Sequence, residues 1–183
     1  AGPPRLSSTG GAHRFIWDLR HDGVTGYRGL QGPMVAPGDY RLRLSVGAFS
    51  QERALKVLSD PRLVKDGVTD AMIAEQTTLL LDIRQKVTEA FSLLQGLREA
   101  RTKAQADQTP AGAERQKAID VVIAKIQTAK GFYPQPMLID QFASVARMLD
   151  GADQKPGRDA YLRFDDLVKE LDAVMTEADG VTK

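Results

Sequence analysis

Two hydrophobic patterns divide this chain. Between residues 13 and 58 the apolar residues recur at every second position, which is typical of half-buried strands. After residue 60 they recur at intervals of three and four, which is typical of amphipathic helices. The pattern therefore predicts an α+β chain in which β structure precedes a helical region.

Three strands are predicted in the first region. The first carries Phe15, Trp17 and Leu19 on one face. The second spans residues 40–46 and alternates apolar with charged side chains, and the third spans residues 49–57 and pairs with it. Three strands are too few for an immunoglobulin-like domain of about seven. We therefore expect a partial antiparallel β-sandwich over residues 1–62, covered by the helical region, by upstream residues or by a second copy.

Three turns are predicted between these strands. Gly47-Ala48 has glycine first, as a type II′ hairpin requires. Pro37-Gly38 fits a type II turn, and His21-Asp22-Gly23 is expected to form a further turn. The chain opens with Ala-Gly-Pro-Pro and has no initiating methionine, so we expect it to be a piece of a longer protein.

Four amphipathic helices are predicted over residues 66–183, and we expect them to pack as an antiparallel up-and-down four-helix bundle. Thr69 is the expected N-cap of the first helix, over residues 70–104. The predicted inward positions of the four helices are, in order, Leu80, Ile83, Val87, Ala90, Leu94 and Leu97; Ile119, Val122, Ile126 and Ala129; Leu138, Phe142, Val145 and Leu149; and Tyr161, Phe164, Val168, Leu171 and Met175.

Composition narrows the classes of function. The 25 basic and 24 acidic residues give a net charge of +1 without a basic cluster, so nucleic acid is not an expected partner. The absence of cysteine excludes disulfides, thiolate metal sites and cysteine nucleophiles. The longest apolar run, near residues 79–81, is far shorter than the roughly 20 residues of a membrane-spanning helix.

Few side chains suggest chemistry. Trp17 could stack on a sugar, although its position on an apolar strand face favours core packing. His13 and His21 with Asp18 and Asp22 could be metal ligands, but strand geometry would place His13 and Asp18 on opposite faces. We therefore expect Asp18 to bond to backbone or to Arg14, and we predict no metal site.

Two other groups have structural interpretations that we prefer. The acids Asp165, Asp166, Glu170 and Asp172 could suggest paired glycosidase carboxylates, but basic neighbours in the sequence favour a solvated helix surface. The loop of residues 132–136, Phe-Tyr-Pro-Gln-Pro, could bind a partner but is more simply a corner between helices. No nucleotide-binding or nucleophile motif is present, so we predict no catalytic residue and no cofactor.

Several motifs resemble one family. They are His13-Arg14-Phe15-Ile16-Trp17-Asp18-Leu19-Arg20, Gly32-Pro33, Pro37-Gly38-Asp39-Tyr40-Arg41-Leu42-Arg43-Leu44 and Asp60-Pro61-Arg62. Together they resemble the C-terminal region of large bacterial proteins with sortilin-like or BNR (Asp-box) β-propellers, which are usually described as glycosyl hydrolases or sialidase-like. The N-terminal part also resembles the immunoglobulin-like domain of flagellar hook-capping proteins and of secretion-sorting tails.

The resemblance implies a bacterial, exported parent protein, periplasmic or secreted, in which propellers precede this segment. Any Asp-box motif or glycosidase carboxylate of that parent would lie in the propellers. The expected function is thus a non-catalytic accessory or structural module, with the propeller domains of the same chain as partners. Two alternatives stay open: a protein-interaction or oligomerisation module that uses an unpaired sheet edge, and a carbohydrate-binding module.

Overall fold

A computed structural model describes residues 6, 7 and 9–182. The opening Ala-Gly-Pro-Pro, on which the expectation of a severed N-terminus depended, lies outside them. The described chain is a mixed α+β structure with one two-stranded antiparallel sheet and four long helices. The coarse order of β structure before helices is therefore confirmed.

The predicted hairpin is present. Strand β1 (Gly38–Val46) pairs with β2 (Phe49–Val57), and Val46 lies opposite Phe49. Gly47 has a φ of 56°, and Leu19 and Tyr133 are the non-glycine residues with positive φ in the described chain. Ala48 therefore has negative φ, as a type II′ turn requires.

The two faces of the hairpin differ in chemistry. Cross-strand pairs such as Arg43–Glu52 and Ser45–Ser50 lie on one face, where an Arg43 guanidinium nitrogen is 2.5 Å from Glu52. The other face carries the apolar side chains of Tyr40, Leu42, Leu44, Val46, Phe49, Leu55 and Val57. This face remains uncovered toward the turn, since Val46 and Phe49 are 65% and 57% exposed.

The predicted first strand is wrong. Residues 12–18 have no regular secondary structure, and the nearest pairing is an isolated bridge between Arg20 and Met34. The Asp18 carboxylate accepts a hydrogen bond from the Arg20 backbone N–H, and Leu19 has a φ of 59°. Such a local side-chain bond competes with strand pairing, so alternating apolar residues alone did not produce a strand.

Two predicted turns are also wrong. Gly38 already belongs to β1 with a φ of 158°, far from the roughly +80° of a type II turn. The turn expected at His21-Asp22-Gly23 lies a few residues later, where the Tyr27 N–H donates to the Val24 carbonyl over 3.2 Å. Gly26 supplies the positive φ there, at 79°.

The helices are α1 (Pro61–Lys65), α2 (Asp70–Ala106), α3 (Pro110–Ile126), α4 (Leu138–Leu149) and α5 (Arg158–Thr182). Their starts follow capping rules: the Thr69 hydroxyl accepts from the Met72 N–H, and Thr109 does the same for Gly112. Asp60 caps α1, and its hydrogen bonds with Arg62 lower the pKa of that carboxyl to about 2.

The predicted inward positions of α2 and α4 are confirmed, because all ten residues named for them are buried. In α3 the prediction fails at Ala129, which is exposed and lies beyond the end of the helix. In α5 the buried stripe is Ala160, Leu167, Leu171, Val174 and Ala178. Met175, predicted to face inward, is 38% exposed. The α5 stripe thus lies to one side of the predicted one.

The predicted up-and-down alternation is not confirmed. Arg98 contacts Gln127 and Arg101 contacts Asp120, so α3 runs antiparallel to α2. The Gln76 amide, near the start of α2, donates to the Leu149 carbonyl at the end of α4. At the other end, Tyr27 contacts both Asp140 near the start of α4 and Phe91 farther along α2. Helix α4 therefore also runs against α2, in the same sense as α3. Helices α3 and α4 thus lie in succession along α2.

A segment before the hairpin packs on the helices. We call residues 19–36 the strap. Val24 joins the helical core, the Tyr27 hydroxyl donates to Asp140 over 3.2 Å, and Arg20 pairs with Asp150 at 3.0 Å. Burial and the neighbouring Asp140 carboxylate raise the pKa of Tyr27. The predicted division into residues 1–62 and 66–183 stays a prediction, although the strap side of that division contacts the helices directly.

Candidate functional site

An open cleft of about 1030 Å³ lies between residues 15–23 and β1. Its lining includes four of the side chains that the sequence singled out. These are Trp17, Asp18, His21 and Asp22, together with Phe15, Ile16, Arg20, Tyr40, Arg41 and Leu42. The cleft is therefore the natural place to ask whether they form a reaction centre.

The aromatic side of the cleft is structural. The Trp17 and Tyr40 rings meet edge to face with their centres 5.9 Å apart. The Trp17 indole N–H donates to the Arg20 carbonyl, and the Tyr40 hydroxyl donates to the Ala36 carbonyl. Trp17 is half-buried and lies outside the helical core, so the core packing favoured from the sequence is not confirmed. Its ring instead connects the strap to the hairpin.

The charged side of the cleft is engaged in structural bonds. Asp18 accepts from the Arg20 N–H, which confirms the expected backbone role of this carboxylate. The Arg20 guanidinium bonds to the Gly32 carbonyl at 2.8 Å and to Asp150 at 3.0 Å. Arg41 contacts Glu52 on β2. These bonds connect the wall of the cleft to the strap, to β2 and to the end of α4.

The two histidines do not meet. Partial burial, followed by the nearby Arg84, lowers the pKa of His21 and so favours its neutral ring. His13 lies outside the cleft lining, where its Nε2 is 2.7 Å from the Thr9 carbonyl. Within residues 6, 7 and 9–182 no group of three or more His, Cys, Asp or Glu side chains is arranged to hold a metal ion.

The acids of α5 lie on a solvated surface, as the sequence indicated. Asp165, Asp166, Glu170 and Asp172 are all exposed. Arg163 pairs with Glu170 at 3.4 Å, and Lys169 pairs with Asp166 at 3.5 Å. Ion pairs this exposed contribute at most about 1 kcal/mol to stability and do not desolvate a carboxylate for acid catalysis.

The aromatic residues do not form a row. Trp17 and Tyr40 lie together at the cleft, whereas Tyr27 packs on Phe91 of α2. Tyr133 projects from the loop between α3 and α4 and is 96% exposed. The neighbouring Phe132 is 97% exposed, and its ring centre is 6.0 Å from that of Tyr133 with the planes at 65°. This loop carries two neighbouring exposed rings that do not form a flat row, so the carbohydrate-binding alternative stays open only there.

Sequence reasoning missed a second feature beside the hairpin. A groove of about 610 Å³, called here the base groove, lies where β2 meets α1. Leu58 and Val64 line it and are 74% and 56% exposed. Leu58 follows the predicted strand directly and Val64 belongs to the short helix α1, which the sequence analysis did not predict. They extend the exposed apolar surface beyond the end of β2.

Two findings concern membrane spans and similar proteins. In the part of the chain that the structure describes, no helix has both the length and the apolar character to span a bilayer. No protein-family model, curated protein or solved structure matches this chain.

Proposed function

We propose that this chain is a non-catalytic accessory module whose hairpin docks, through its apolar face, onto the rest of a larger exported protein. The observation that carries the proposal is the uncovered apolar face of β1 and β2. Leu42, Leu44, Val46 and Phe49 are between 46% and 65% exposed on that face. Apolar side chains grouped on one side of a sheet are typical of a surface that is covered in the assembled protein.

Sheet energetics support a missing cover. An isolated two-stranded hairpin is marginally stable in water, and independent stability needs three or more strands or a packed face. Here the hairpin contacts the strap near Tyr40 and leaves the half toward the turn free. In the proposal, β1 and β2 are two strands of an immunoglobulin-like sandwich, and the remaining strands come from the parent polypeptide.

The helices supply the rigid part of the module. Their shared core includes Ile83, Phe142, Leu167 and Leu171, all fully buried. We interpret them as a four-helix bundle that is three helices wide, because α3 and α4 lie in succession along α2 and both contact α5. The strap fastens this bundle to the hairpin, so a force on the hairpin face reaches the helices. Bracing or presenting neighbouring domains, such as the propellers that the sequence resemblance implies, needs a connection of this kind.

In the proposal, the charged side chains that line the cleft have a structural role. Asp18, Arg20 and Arg41 are each bonded to protein partners there. The family resemblance places any glycosidase carboxylates in the propellers and the whole protein outside the cytoplasm. Hydrolysis of a glycoside by the isolated chain would contradict this proposal.

Cysteine labelling tests the docking face, because the chain has no cysteine of its own. Leu44→Cys places a thiol on the apolar face, and Ser45→Cys places the matched control on the polar face. Both thiols should react rapidly in the dilute chain. In the longer polypeptide encoded by the same gene, the thiol at 44 should react at least about tenfold more slowly, while that at 45 stays reactive. Equal rates at residue 44 in the two proteins would overturn the proposal.

A further inference from the structure

We infer that the chain also forms a symmetric dimer through the outer edge of β2, with Ala54 on the twofold axis. This inference goes beyond the proposed docking face, because it uses an edge of the sheet and a second copy of the chain. Three observations lead to it: which edge is less obstructed, which charges meet across that edge, and where the partner's hairpin turn then arrives.

The two edges of the hairpin differ in access at the end away from the turn. Residues 41–46 of β1 and 49–54 of β2 are all exposed. Residues 15–18 face the start of β1 across the cleft, which Tyr40, Arg41 and Leu42 line, whereas no residue of β2 lines that cleft. The edge of β2 is therefore the less obstructed one there.

Backbone geometry identifies the groups that β2 presents. Val46 and Phe49 flank a two-residue turn and form a hydrogen-bonded pair, so the bonded pairs recur at every second residue from there. The N–H and C=O groups of residues 50, 52, 54 and 56 consequently point away from β1. Unpaired groups of this kind are a template for another strand.

Charge selects the register. If two copies of β2 pair antiparallel about Ala54, Glu52 of each copy lies opposite Lys56 of the other. Two opposite-charge pairs result, which favours this register. Pairing about Glu52 would instead place that carboxylate opposite its own copy, and pairing about Arg53 would oppose two guanidinium groups.

The β1 edge is disfavoured by the same reasoning. Antiparallel pairing of two β1 strands about Leu42 places Arg41 of each copy opposite Arg43 of the other. Like charges directly opposite each other destabilise a strand pair. Pairing about Tyr40 would place Asp39 opposite Arg41 of the other copy, but residues 15–18 face β1 across the cleft at that position. The β1 edge is therefore disfavoured by charge in one register and by access in the other.

The selected register brings apolar surfaces together. With Ala54 on the axis, Ser50 of the partner lies opposite Leu58, so the partner's turn reaches the base groove. That turn carries Val46 and Phe49, and the groove offers Leu58 and Val64, all more than half exposed in the single chain. Twofold symmetry repeats the contact, as an isologous interface requires. The product is a continuous four-stranded sheet.

Matched proline variants test the edge. Ala54 and Arg41 lie opposite each other in the hairpin, and both N–H groups point outward, so proline at either position spares the hairpin's own bonds. We expect the chain to reach twice its 20.0 kDa mass at high concentration in sedimentation equilibrium. Ala54→Pro should raise the dimer dissociation constant at least about tenfold, and Arg41→Pro should leave it within about twofold.

A second pair of variants tests the base groove without touching the hairpin. Val64→Asp places a charge where the partner's turn should sit and should weaken the dimer about tenfold or more. Val121→Asp on α3 is the control, since Val121 is 60% exposed and lies outside the interface. A monomer at every concentration, or equal weakening by the two aspartates or by the two prolines, would overturn the dimer. Labelling at residue 44 in the dilute chain is independent of these outcomes, so the docking proposal stands or falls separately.

Discussion

The helices and the hairpin both have amphipathic patterns, but they bury their apolar side chains to different degrees. In the helical region the apolar stripes meet in one core, where Ile83, Val87, Phe142 and Leu167 are fully buried. In the hairpin the apolar residues also share one face, but those toward the turn stay exposed. An amphipathic pattern thus predicts secondary structure in both regions, but only the helices bury their whole apolar face within the chain. The difference indicates which region stabilises the chain and which is available for assembly.

Truncating one phenylalanine in each region should expose this difference most strongly. Phe142 is fully buried and meets the Phe164 ring edge to face at 6.2 Å, so Phe142→Ala leaves a cavity and should cost about 3–5 kcal/mol. Phe49 is 57% exposed, and Phe49→Ala should change the free energy of unfolding by less than about 0.5 kcal/mol. Urea unfolding of the dilute monomer followed by circular dichroism measures both. Similar losses would mean that the hairpin face is covered after all.

The strap connects the two regions, and Gly32 tests how tightly it is closed. A Cβ at this position would lie 1.6 Å from the His21 carbonyl oxygen, which is backbone and cannot turn away. Gly32→Ala should therefore separate the two arms of the strap and destabilise the chain by about 1–3 kcal/mol. Gly131→Ala is the control, because nothing lies within 4 Å of its Cβ position. A harmless Gly32→Ala would show that the strap is loosely held.

A smaller effect is expected from pH. The pKa of His21 is lowered in the folded chain from its ordinary 6.5, so the unfolded chain binds more protons below that pH. Stability should consequently fall as the pH drops through the range just below 6.5. Unfolding at pH 7.5 and 5.5 should show this loss in the natural chain and a smaller loss in His21→Gln. An unchanged pH dependence in the variant would remove His21 as its source.

Local rules predicted much of the fold from the sequence. The Thr69 cap, the buried stripes of α2 and α4 and the turn at Gly47 depend on neighbouring residues, and all three are confirmed. The first strand failed because a strand needs a partner at a distance in sequence, and the Asp18 side chain offers the backbone a local bond instead. The predicted direction of α4 was wrong for a similar reason. Short loops favoured an up-and-down alternation of helices, whereas the contacts of α4 with α2 determine its direction.

The candidate surfaces were less accessible to sequence reasoning. Alternation identified an apolar hairpin face, but whether that face is covered depends on packing that no local pattern encodes. Leu58 follows β2 and Val64 belongs to α1, so neither the alternation of a strand nor the stripe of a helix predicts the base groove. For the cleft, local spacing placed Trp17 and Asp18 close together but gave no indication that Tyr40 would join them.

Native-state hydrogen exchange of the dilute chain tests the central claim most directly. If the hairpin lacks its cover, the amides bonded within it, those of Leu42, Leu44, Gln51 and Arg53, should exchange at least about a hundredfold faster than those of residues 83–97 in α2, through local opening that leaves the helices folded. Equal protection in the two regions would show that the hairpin is stabilised within this chain and would contradict the account.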